Sequence, residues 1–472
     1  MKFFYNIINN KYYLFCTLLF YTLCAAFFIQ DILLPFFFPD GINSYGLLKN
    51  TDSINYHKQS VLVSDRINLL GWQEWELLPR STDSTGIPLS DRHFIVGLTS
   101  LFYALIAPEP WVMIPINAFF HVLTVFMLIK IALLFTDKYH LALLSVTPYM
   151  FFPSACFWYS QLLKDVYFNL GAVMFCYGWM HIVFINKTQD IKISNTLIGP
   201  FYILFGYILT GCIRPFNFTL LKIESLLIII FILIQLFFLI NKKINFKYFI
   251  KILLTSFIVF LLLMKTDNII LDNNLISKDI ISFDYVKPIE NDSKLSFPNS
   301  NINELNWSRT EWIPLSIDEK FSTLAGMRKL SLDNVKQKKL VKSSIDINVE
   351  LNSAIDVLKY IPRAAHIGFL SPFPEHWFGV GSSKSSTVMR RIAMFEMLFI
   401  YIIFLFTPVA FYYWKNKPEF WVPIIYCSSM MTLFPIAIPN VGSIYRYRYI
   451  YLMILITILI ISGYKFIYKK FF

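Results

Sequence analysis

Long, predominantly apolar runs constrain this chain more than any other feature of its sequence. Several approach or exceed the roughly 20 residues that cross a bilayer as a helix. They are Tyr12 to Ile29, Trp111 to Phe135, Thr219 to Ile240, Ile392 to Tyr413 and Ile450 to Ser462. Because hydrocarbon offers the backbone no hydrogen-bond partners, such runs must satisfy their own N–H and C=O groups as helices. The sequence therefore predicts an all-α polytopic membrane protein.

Composition excludes several other classes of protein. Of the 472 residues, 56% are hydrophobic and 15% charged, which is too apolar for a water-soluble fold. The net charge of +12 comes from basic residues spread among short loops, so we predict no nucleic-acid partner. The six cysteines lie in or beside apolar runs without metal-like spacing, which predicts packing residues. The absence of a Walker-type or Gly-x-Gly-x-x-Gly loop argues against a nucleotide ligand.

Loop charge predicts the topology, because lysine and arginine accumulate in cytoplasmic loops. The first apolar run lacks a small-residue cleavage site before Asp31, so we predict a retained first span. The lysines that mark the cytoplasmic side are Lys2, Lys11, Lys138, Lys187, Lys192, Lys242, Lys243, Lys247, Lys415, Lys417, Lys465, Lys469 and Lys470. We expect about 10–12 membrane segments, with the apolar stretch Phe94 to Ala107 dipping in and returning or lying along the surface.

This topology predicts three parts. Residues 1–264 form a transmembrane module with a long first outer loop (31–92), 265–390 an extracytoplasmic loop, and 391–472 the C-terminal membrane helices. Residues 265–345 are rich in Asn, Asp, Ser and Lys, which predicts a loosely structured insert. Beyond it, an amphipathic helix on the membrane surface, ended or bent by Pro362, is predicted from helical spacing. The apolar positions are Ile347, Leu351, Ile355 and Leu358.

Two aspartates at the predicted outer ends of membrane helices are the main functional signal. Asp52 lies in the run Asn50-Thr-Asp-Ser-Ile-Asn-Tyr-His57, and Asp165 in the run Gln161-Leu-Leu-Lys-Asp-Val166. A charged side chain costs about 2.5–3.5 kcal/mol at the bilayer centre and less near the interface, so it usually has a task or a partner. The structural alternatives are an N-cap for Asp52, and a cap or an ion pair with Lys164 for Asp165.

The first half of the chain resembles a known enzyme superfamily. The run Asp52-Ser-Ile-Asn-Tyr56, after one membrane helix, resembles the Asp-x-x-x-Tyr element of the GT-C glycosyltransferases. The nearest group is that of the aminoarabinose transferases and protein mannosyltransferases, which use polyprenyl-phosphate sugars. The basic turn Thr136-Asp-Lys-Tyr-His140, then Asp165 and Arg214, follow in that group's order. The resemblance covers residues 1 to about 264.

The resemblance implies a GT-C-like helical bundle, a polyprenyl-phosphate-linked sugar, a glycan or lipid acceptor, and surrounding membrane lipid. The C-terminal half is more similar to multi-pass proteins encoded among bacterial surface-polysaccharide genes. That similarity is carried by Pro372-Phe-Pro374 and by Asn440-Val-Gly-Ser-Ile-Tyr-Arg-Tyr-Arg448. Together they imply a bacterial inner-membrane protein whose site faces the periplasm or the outside.

Outward-facing cations and aromatic residues supply candidates for substrate contact. Arginine binds phosphate bidentately, so we assign donor-phosphate binding to Arg214, Arg446 and Arg448, with Lys164 beside them. The alternative for Arg446 and Arg448 is a snorkelling interfacial anchor. The candidates for contact with the sugar are Tyr56, His376 and Trp377, although Trp377 is also typical of an interfacial aromatic belt.

The chemistry of a lipid-linked sugar limits what the protein must supply. A polyprenyl phosphate is already an acceptable leaving group, so one general base on the acceptor hydroxyl suffices. We assign that base to Asp52, and predict that Asp165 orients it or holds a divalent cation against the phosphate. The sequence does not identify the ligands of such a cation. The alternatives are a polysaccharide polymerase that uses a polyprenyl diphosphate, and a flippase for lipid-linked sugars.

Overall fold

The part of the chain described by the structure, a computed structural model, is mainly helical. That part comprises residues 10–49, 52–78, 93–185, 193–240, 246–272, 306–337, 344–381 and 384–471. Within these ranges there is no β-strand, and only isolated bridges link extended residues. The prediction of an all-α fold is confirmed.

Among the described residues, twelve α-helices precede residue 273 and seven follow residue 305. The first set is α1 (Lys11–Phe27), α2 (Leu34–Phe37), α3 (Asp52–Leu70), α4 (Phe94–Leu105), α5 (Ile114–Leu133), α6 (Tyr139–Ser145), α7 (Thr147–Phe151), α8 (Pro153–Tyr159), α9 (Asp165–Ile185), α10 (Ile193–Ile213), α11 (Phe216–Ile240) and α12 (Phe246–Asp272). The second set is α13 (Leu315–Gln337), α14 (Ala354–Leu370), α15 (Pro374–Trp377), α16 (Lys384–Phe404), α17 (Thr407–Trp414), α18 (Pro418–Ala437) and α19 (Val441–Phe471).

Several helices are long and apolar enough to cross a membrane, so the chain is a polytopic membrane protein. In the described residues there are seven such spans, or eight if the bent pair α16 and α17 forms one. The seven are Lys11–Phe37, Pro110–Leu133, Asp165–Phe184, Thr196–Ile213, Phe216–Ile234, Pro418–Ala437 and Val441–Tyr468. The sequence-based number of about 10–12 is larger. One reason is that Pro148 and Pro153 divide residues 139–159 into three short helices.

The chain forms two compact units. Unit 1 comprises residues 1–277, 403–423 and 456–472, and unit 2 comprises residues 278–402 and 424–455. The three-part division drawn from the sequence stays a prediction. Parts of its two outer loops, residues 79–92, 273–305 and 338–343, lie outside the described residues.

Helices α9 and α10 form the closest helix pair of unit 1, because glycines remove the side chains between their backbones. A Cβ atom on Gly206 would lie 2.5 Å from the carbonyl oxygen of Gly171. A Cβ atom on Gly178 would lie 2.7 Å from the carbonyl oxygen of Gly199. Real Cβ atoms do not approach so closely, so only glycine permits this separation. The pairing also fixes an antiparallel register, with the start of α9 beside the end of α10.

In its described residues, the predicted first outer loop contains one long helix, α3. Helix α3 packs against α4, which has 12 residues, fewer than a span needs. The indole N–H of Trp75 donates to the carbonyl of Gly97, 2.9 Å away, and a Cβ atom on Gly97 would clash with the Leu77 carbonyl. The apolar stretch Phe94 to Ala107 therefore packs against the outer loop as a short helix.

Residues 306–337 of unit 2 are ordered, contrary to the expected loose insert. Trp307 is buried, and its indole donates to the Asp318 carboxylate at 2.9 Å. Arg328 is buried as well and donates to the backbone carbonyls of Asp346 and Pro435. A small apolar core, in which Trp307 packs with α13 and α14, accounts for the order. The polar composition of this segment wrongly predicted a lack of fixed structure. A small apolar core is sufficient here because the buried arginine also binds loop carbonyls.

The predicted surface helix is α14, but its bounds and its buried face differ from the prediction. It begins at Ala354, after the Ser353 side chain, which accepts a hydrogen bond from the Asp356 amide. Its buried residues are Ala354, Val357, Tyr360, Ala364, Ile367 and Gly368, whereas Ile355 and Leu358 are exposed. Pro362 lies inside the helix and does not end it, because packing of this face outweighs one lost backbone hydrogen bond.

Substituting a contact glycine should separate α9 from α10. We expect Gly206→Leu to destabilise the protein by about 1–3 kcal/mol or more, because the facing atoms are backbone and cannot rearrange. Thermal melting of the purified protein in detergent measures this. Gly442→Ala is the control, since its nearest neighbour would be the Asn440 side chain at 3.4 Å. Equal melting temperatures for the two variants would contradict the assigned role of the glycine contact.

Candidate functional site

Two of the predicted site residues are each other's partner. Asp165 is the first residue of α9, and Arg214 follows the last residue of α10. Nη2 of Arg214 lies 3.0 Å from Oδ1 of Asp165, and both side chains are 2% exposed. The guanidinium also stacks on the Phe168 ring at 4.3 Å. An anion at a helix N-terminus and a cation at a C-terminus each oppose the helix dipole, so this position suits both charges.

The other candidates in unit 1 lie beside this ion pair. The Lys164 ammonium, adjacent in sequence to Asp165, lies 5.8 Å from the centre of the Tyr56 ring. Asp52 is one helical turn before Tyr56, on the same side of α3. Asp52 is exposed, Lys164 half-buried and Tyr56 buried. The structure therefore links Lys164 to α3 through Tyr56, and Asp52 lies on the turn of α3 before Tyr56.

A set of buried amides that the sequence analysis missed holds the turn before Asp165. The Asn117 amide donates to the carbonyls of Tyr159 and Gln161, and its oxygen accepts from the Tyr167 hydroxyl at 2.6 Å. The Gln161 oxygen accepts from the Leu48 amide at 2.9 Å, and its nitrogen donates to the Gly46 carbonyl. These bonds join the segment after α2 to the turn that carries Lys164 and Asp165. The sequence did contain a signal for this set, because Asn117 is a polar residue inside an apolar run.

His57 is a second missed residue, next to Tyr56 in the Asp52 run. Its Nδ1 atom and the Tyr103 hydroxyl are 2.9 Å apart, which joins α3 to α4. The Tyr45 ring packs against the imidazole at 4.5 Å. Burial lowers the pKa of His57, because the charged form loses its hydration. The neutral imidazole is therefore favoured where α3 begins.

The remaining predicted residues belong to unit 2. Trp377 is buried, donates to the Pro372 carbonyl at 2.8 Å and stacks on Tyr401. His376 is more exposed and lies 3.9 Å from the Glu375 carboxylate. Their predicted contact with a sugar stays a prediction, although packing accounts for the position of Trp377.

The two C-terminal arginines have different environments. Arg448 is fully buried in α19, and its guanidinium donates to the carbonyls of Gly368 and Ser371. A Cβ atom on Gly368 would lie 2.0 Å from the Met431 carbonyl, so the end of α14 packs closely against α18. These contacts account for the burial of Arg448, and both its predicted role in phosphate binding and the interfacial-anchor alternative stay untested predictions. Arg446 is half-buried, and its predicted role in phosphate binding stays a prediction.

The described residues do not form a protein metal centre. Within the described ranges no three His, Cys, Asp or Glu side chains lie together as metal ligands would. Asp165, the predicted ligand, already binds a guanidinium. We therefore derive no step through a metal, and the divalent cation stays a prediction from the sequence.

Comparisons with known proteins place the chain near one solved structure. No protein-family model matches it, and no curated protein matches it. It is similar to the crystal structure of the Archaeoglobus fulgidus oligosaccharyltransferase in the apo form, with a TM-score of 0.49 and 12% sequence identity. The alignment covers 97% of this chain and 51% of that one, so this chain spans about half the other's length.

His57 should make stability depend on pH. Because its folded pKa lies below its usual 6.5, the unfolded chain binds more protons as the pH falls through the interval between them. We expect the wild-type melting temperature to fall from about pH 7.5 to about pH 5.5, and His57→Gln to show a smaller fall. His140→Gln, at an exposed histidine, is the control and should keep the wild-type pH dependence. The same pH dependence in all three proteins would contradict a buried neutral His57.

The Asp165–Arg214 pair should show strong coupling in a double-mutant cycle. We expect Asp165→Leu or Arg214→Leu alone to destabilise the protein by about 3–5 kcal/mol, because each leaves a buried charge uncompensated. The double variant should recover most of this loss, since two apolar side chains need no counter-charge. Unfolding of the four proteins in detergent measures the coupling. Additive losses would contradict a direct buried ion pair.

Proposed function

We propose that this protein is an integral-membrane glycosyltransferase. It moves a sugar from a polyprenyl-phosphate donor to a surface glycan or lipid, at the outer face of a bacterial inner membrane. One observation carries the proposal: the Lys164 ammonium, next in sequence to the buried Asp165–Arg214 pair, lies 5.8 Å from the Tyr56 ring, and the exposed Asp52 is one helical turn before Tyr56. The proposal is supported by the chemistry of these groups, one by one.

Asp52 is the general base of the proposed reaction. A base must reach the acceptor hydroxyl, and Asp52 is the more accessible of the two aspartates. Its position on the first turn of α3 places it near the helix N-terminus, which stabilises the carboxylate. The base accepts the hydroxyl proton while the acceptor oxygen bonds to the sugar's anomeric carbon. The bond from that carbon to the phosphate oxygen breaks, and its electrons leave with the polyprenyl phosphate.

Asp165 and Arg214 position the site in this proposal. Their carboxylate and guanidinium are bound to each other and buried, which suits a fixed element better than a group that exchanges protons. The pair holds the end of α10 against the start of α9, and so fixes the turn that contains Lys164. Direct phosphate binding by Arg214, the role predicted from sequence, would require a guanidinium N–H beyond the one given to Asp165.

Lys164 is the group that contacts the donor phosphate. Its ammonium carries three donors on a flexible stem, and it is half-buried at the end of a membrane helix, at headgroup level in this proposal. Tyr56, whose ring lies beneath that ammonium, limits the positions that it can take. A lipid-linked phosphate reaches such a position from within the membrane, whereas a soluble nucleotide sugar does not require an intramembrane site.

Transfer should depend on Asp52 and not on a neighbouring carboxylate. Asp52→Asn is isosteric and removes only basicity, so we expect the transfer rate to fall by about 10²–10⁴-fold while the protein stays folded. The assay uses the purified protein in liposomes, polyprenyl-phosphate sugars as donors, and detection of the glycosylated product. Asp65→Asn, on the same helix and also exposed, is the matched control.

Three outcomes would contradict this proposal. Near-normal transfer by Asp52→Asn excludes the general-base role. Movement of intact lipid-linked sugar across the liposome membrane, without a new glycosidic bond, would identify a flippase. Transfer from polyprenyl diphosphates alone, with a lengthening glycan, would identify a polymerase.

A further inference from the structure

A cavity lies at the opposite end of α9 and α10 from the Asp165–Arg214 pair. It has a volume of about 380 Å³ and is bounded by α5, α9 and α10. Lys130 lies three residues before the end of α5, His181 four before the end of α9, and Leu197 four after the start of α10. At 1.5 Å of rise per residue, these side chains are about 6 Å from the helix ends. The cavity is therefore at the level of lipid headgroups.

One wall of the cavity is cationic. The Lys130 ammonium donates to the Tyr202 hydroxyl at 2.5 Å and lies over the rings of Tyr202 and Tyr177. No carboxylate of the described residues pairs with this lysine. An ammonium has three N–H donors, so donors remain for a ligand. His181, which is 93% buried, lines the same cavity and adds a ring nitrogen. Because this lysine is held in place and has no counter-charge among the described residues, the cavity favours an anion.

The remaining lining of the cavity forms an apolar wall that is exposed. Leu197 and Phe201 line the cavity, yet 64% and 59% of their surfaces are exposed. They belong to the apolar span Thr196–Ile213, whose outward surface contacts lipid chains in a membrane. A ligand that touches both walls has an anionic head and an apolar chain. Free phosphate would leave the apolar wall unused.

The sequence indicates which leaflet supplies the ligand. The helix ends next to this cavity continue into loops that contain Lys138, Lys187 and Lys192, the loops predicted to be cytoplasmic. The cytoplasmic leaflet is rich in anionic lipid, and basic pockets between membrane helices on that side bind such headgroups. We propose that this cavity binds the phosphate headgroup of an anionic phospholipid from that leaflet. The site is separate from the proposed transfer reaction and does not depend on it.

Lipid binding to the purified full-length protein tests this inference. Binding of phosphatidylglycerol and phosphatidylcholine is compared by native mass spectrometry. We expect Lys130→Gln to weaken phosphatidylglycerol binding about ten- to a hundredfold, the effect of losing a charge-assisted hydrogen bond. Phosphatidylcholine binding should not change, and Lys130→Arg should bind within a few-fold of wild type. Lys138→Gln is the matched control, because this exposed lysine lies over the Tyr468 ring outside the cavity.

Two additional measurements test the contribution of the lipid chain and provide a second variant. Glycerol phosphate, which has the head but no chain, should bind at least about a hundredfold more weakly than phosphatidylglycerol, since each buried CH₂ group contributes about 0.8 kcal/mol. If Lys130→Gln does not fold, as judged by size-exclusion chromatography, Tyr202→Phe removes the hydroxyl that positions the lysine, and a several-fold loss is expected. Equal binding of the two phospholipids, equal binding of glycerol phosphate, or equal effects of Lys130→Gln and Lys138→Gln would overturn the inference.

Discussion

The backbone contact between α9 and α10 is the constraint on which both polar sites of unit 1 depend. Gly206 faces the Gly171 carbonyl and Gly178 faces the Gly199 carbonyl, at distances that admit no Cβ atom. In a membrane, where lipid chains are as apolar as leucine, such close packing supplies much of the attraction between helices. It also fixes the register. Asp165 and Arg214 then lie together at one end, and the cavity with Lys130 and His181 lies at the other.

The two ends differ in how charge is compensated, and this difference suggests different tasks. At one end the arginine and aspartate neutralise each other and oppose the dipoles of their helices, and Lys164 lies in the turn directly before Asp165, near the Tyr56 ring. At the other, Lys130 is held by a tyrosine hydroxyl and aromatic rings, which orient a cation without neutralising it. The first arrangement suits proposed chemistry on a lipid-linked sugar, and the second suits binding of an anionic headgroup.

Where sequence reasoning differed from the structure, long-range contacts decided the outcome. The polar composition of residues 306–337 predicted a loosely structured segment. In the structure, the Trp307 indole donates to the Asp318 carboxylate, and Arg328 donates to the carbonyl of Pro435, which is distant in sequence. Helix α14 buries a different face from the one its apolar spacing suggested, because both of its sides carry apolar residues and only packing selects between them. Long-range contacts also account for the burial of Arg448, which donates to the Gly368 carbonyl 80 residues away, while its role in phosphate binding stays a prediction.

The sequence by itself determined the class of the protein and the identity of most candidate residues. Hydrophobic runs near the thickness of a bilayer must be helical whatever surrounds them, since each backbone group is satisfied within its own segment. Only the tertiary structure decided which polar residues meet. Asp165 has Lys164 beside it in sequence, but its described ion-pair partner is Arg214, 49 residues away, brought near by glycines that no charge pattern reveals. Partner choice depends on helix separation and register, and these are properties of two packed surfaces rather than of one segment.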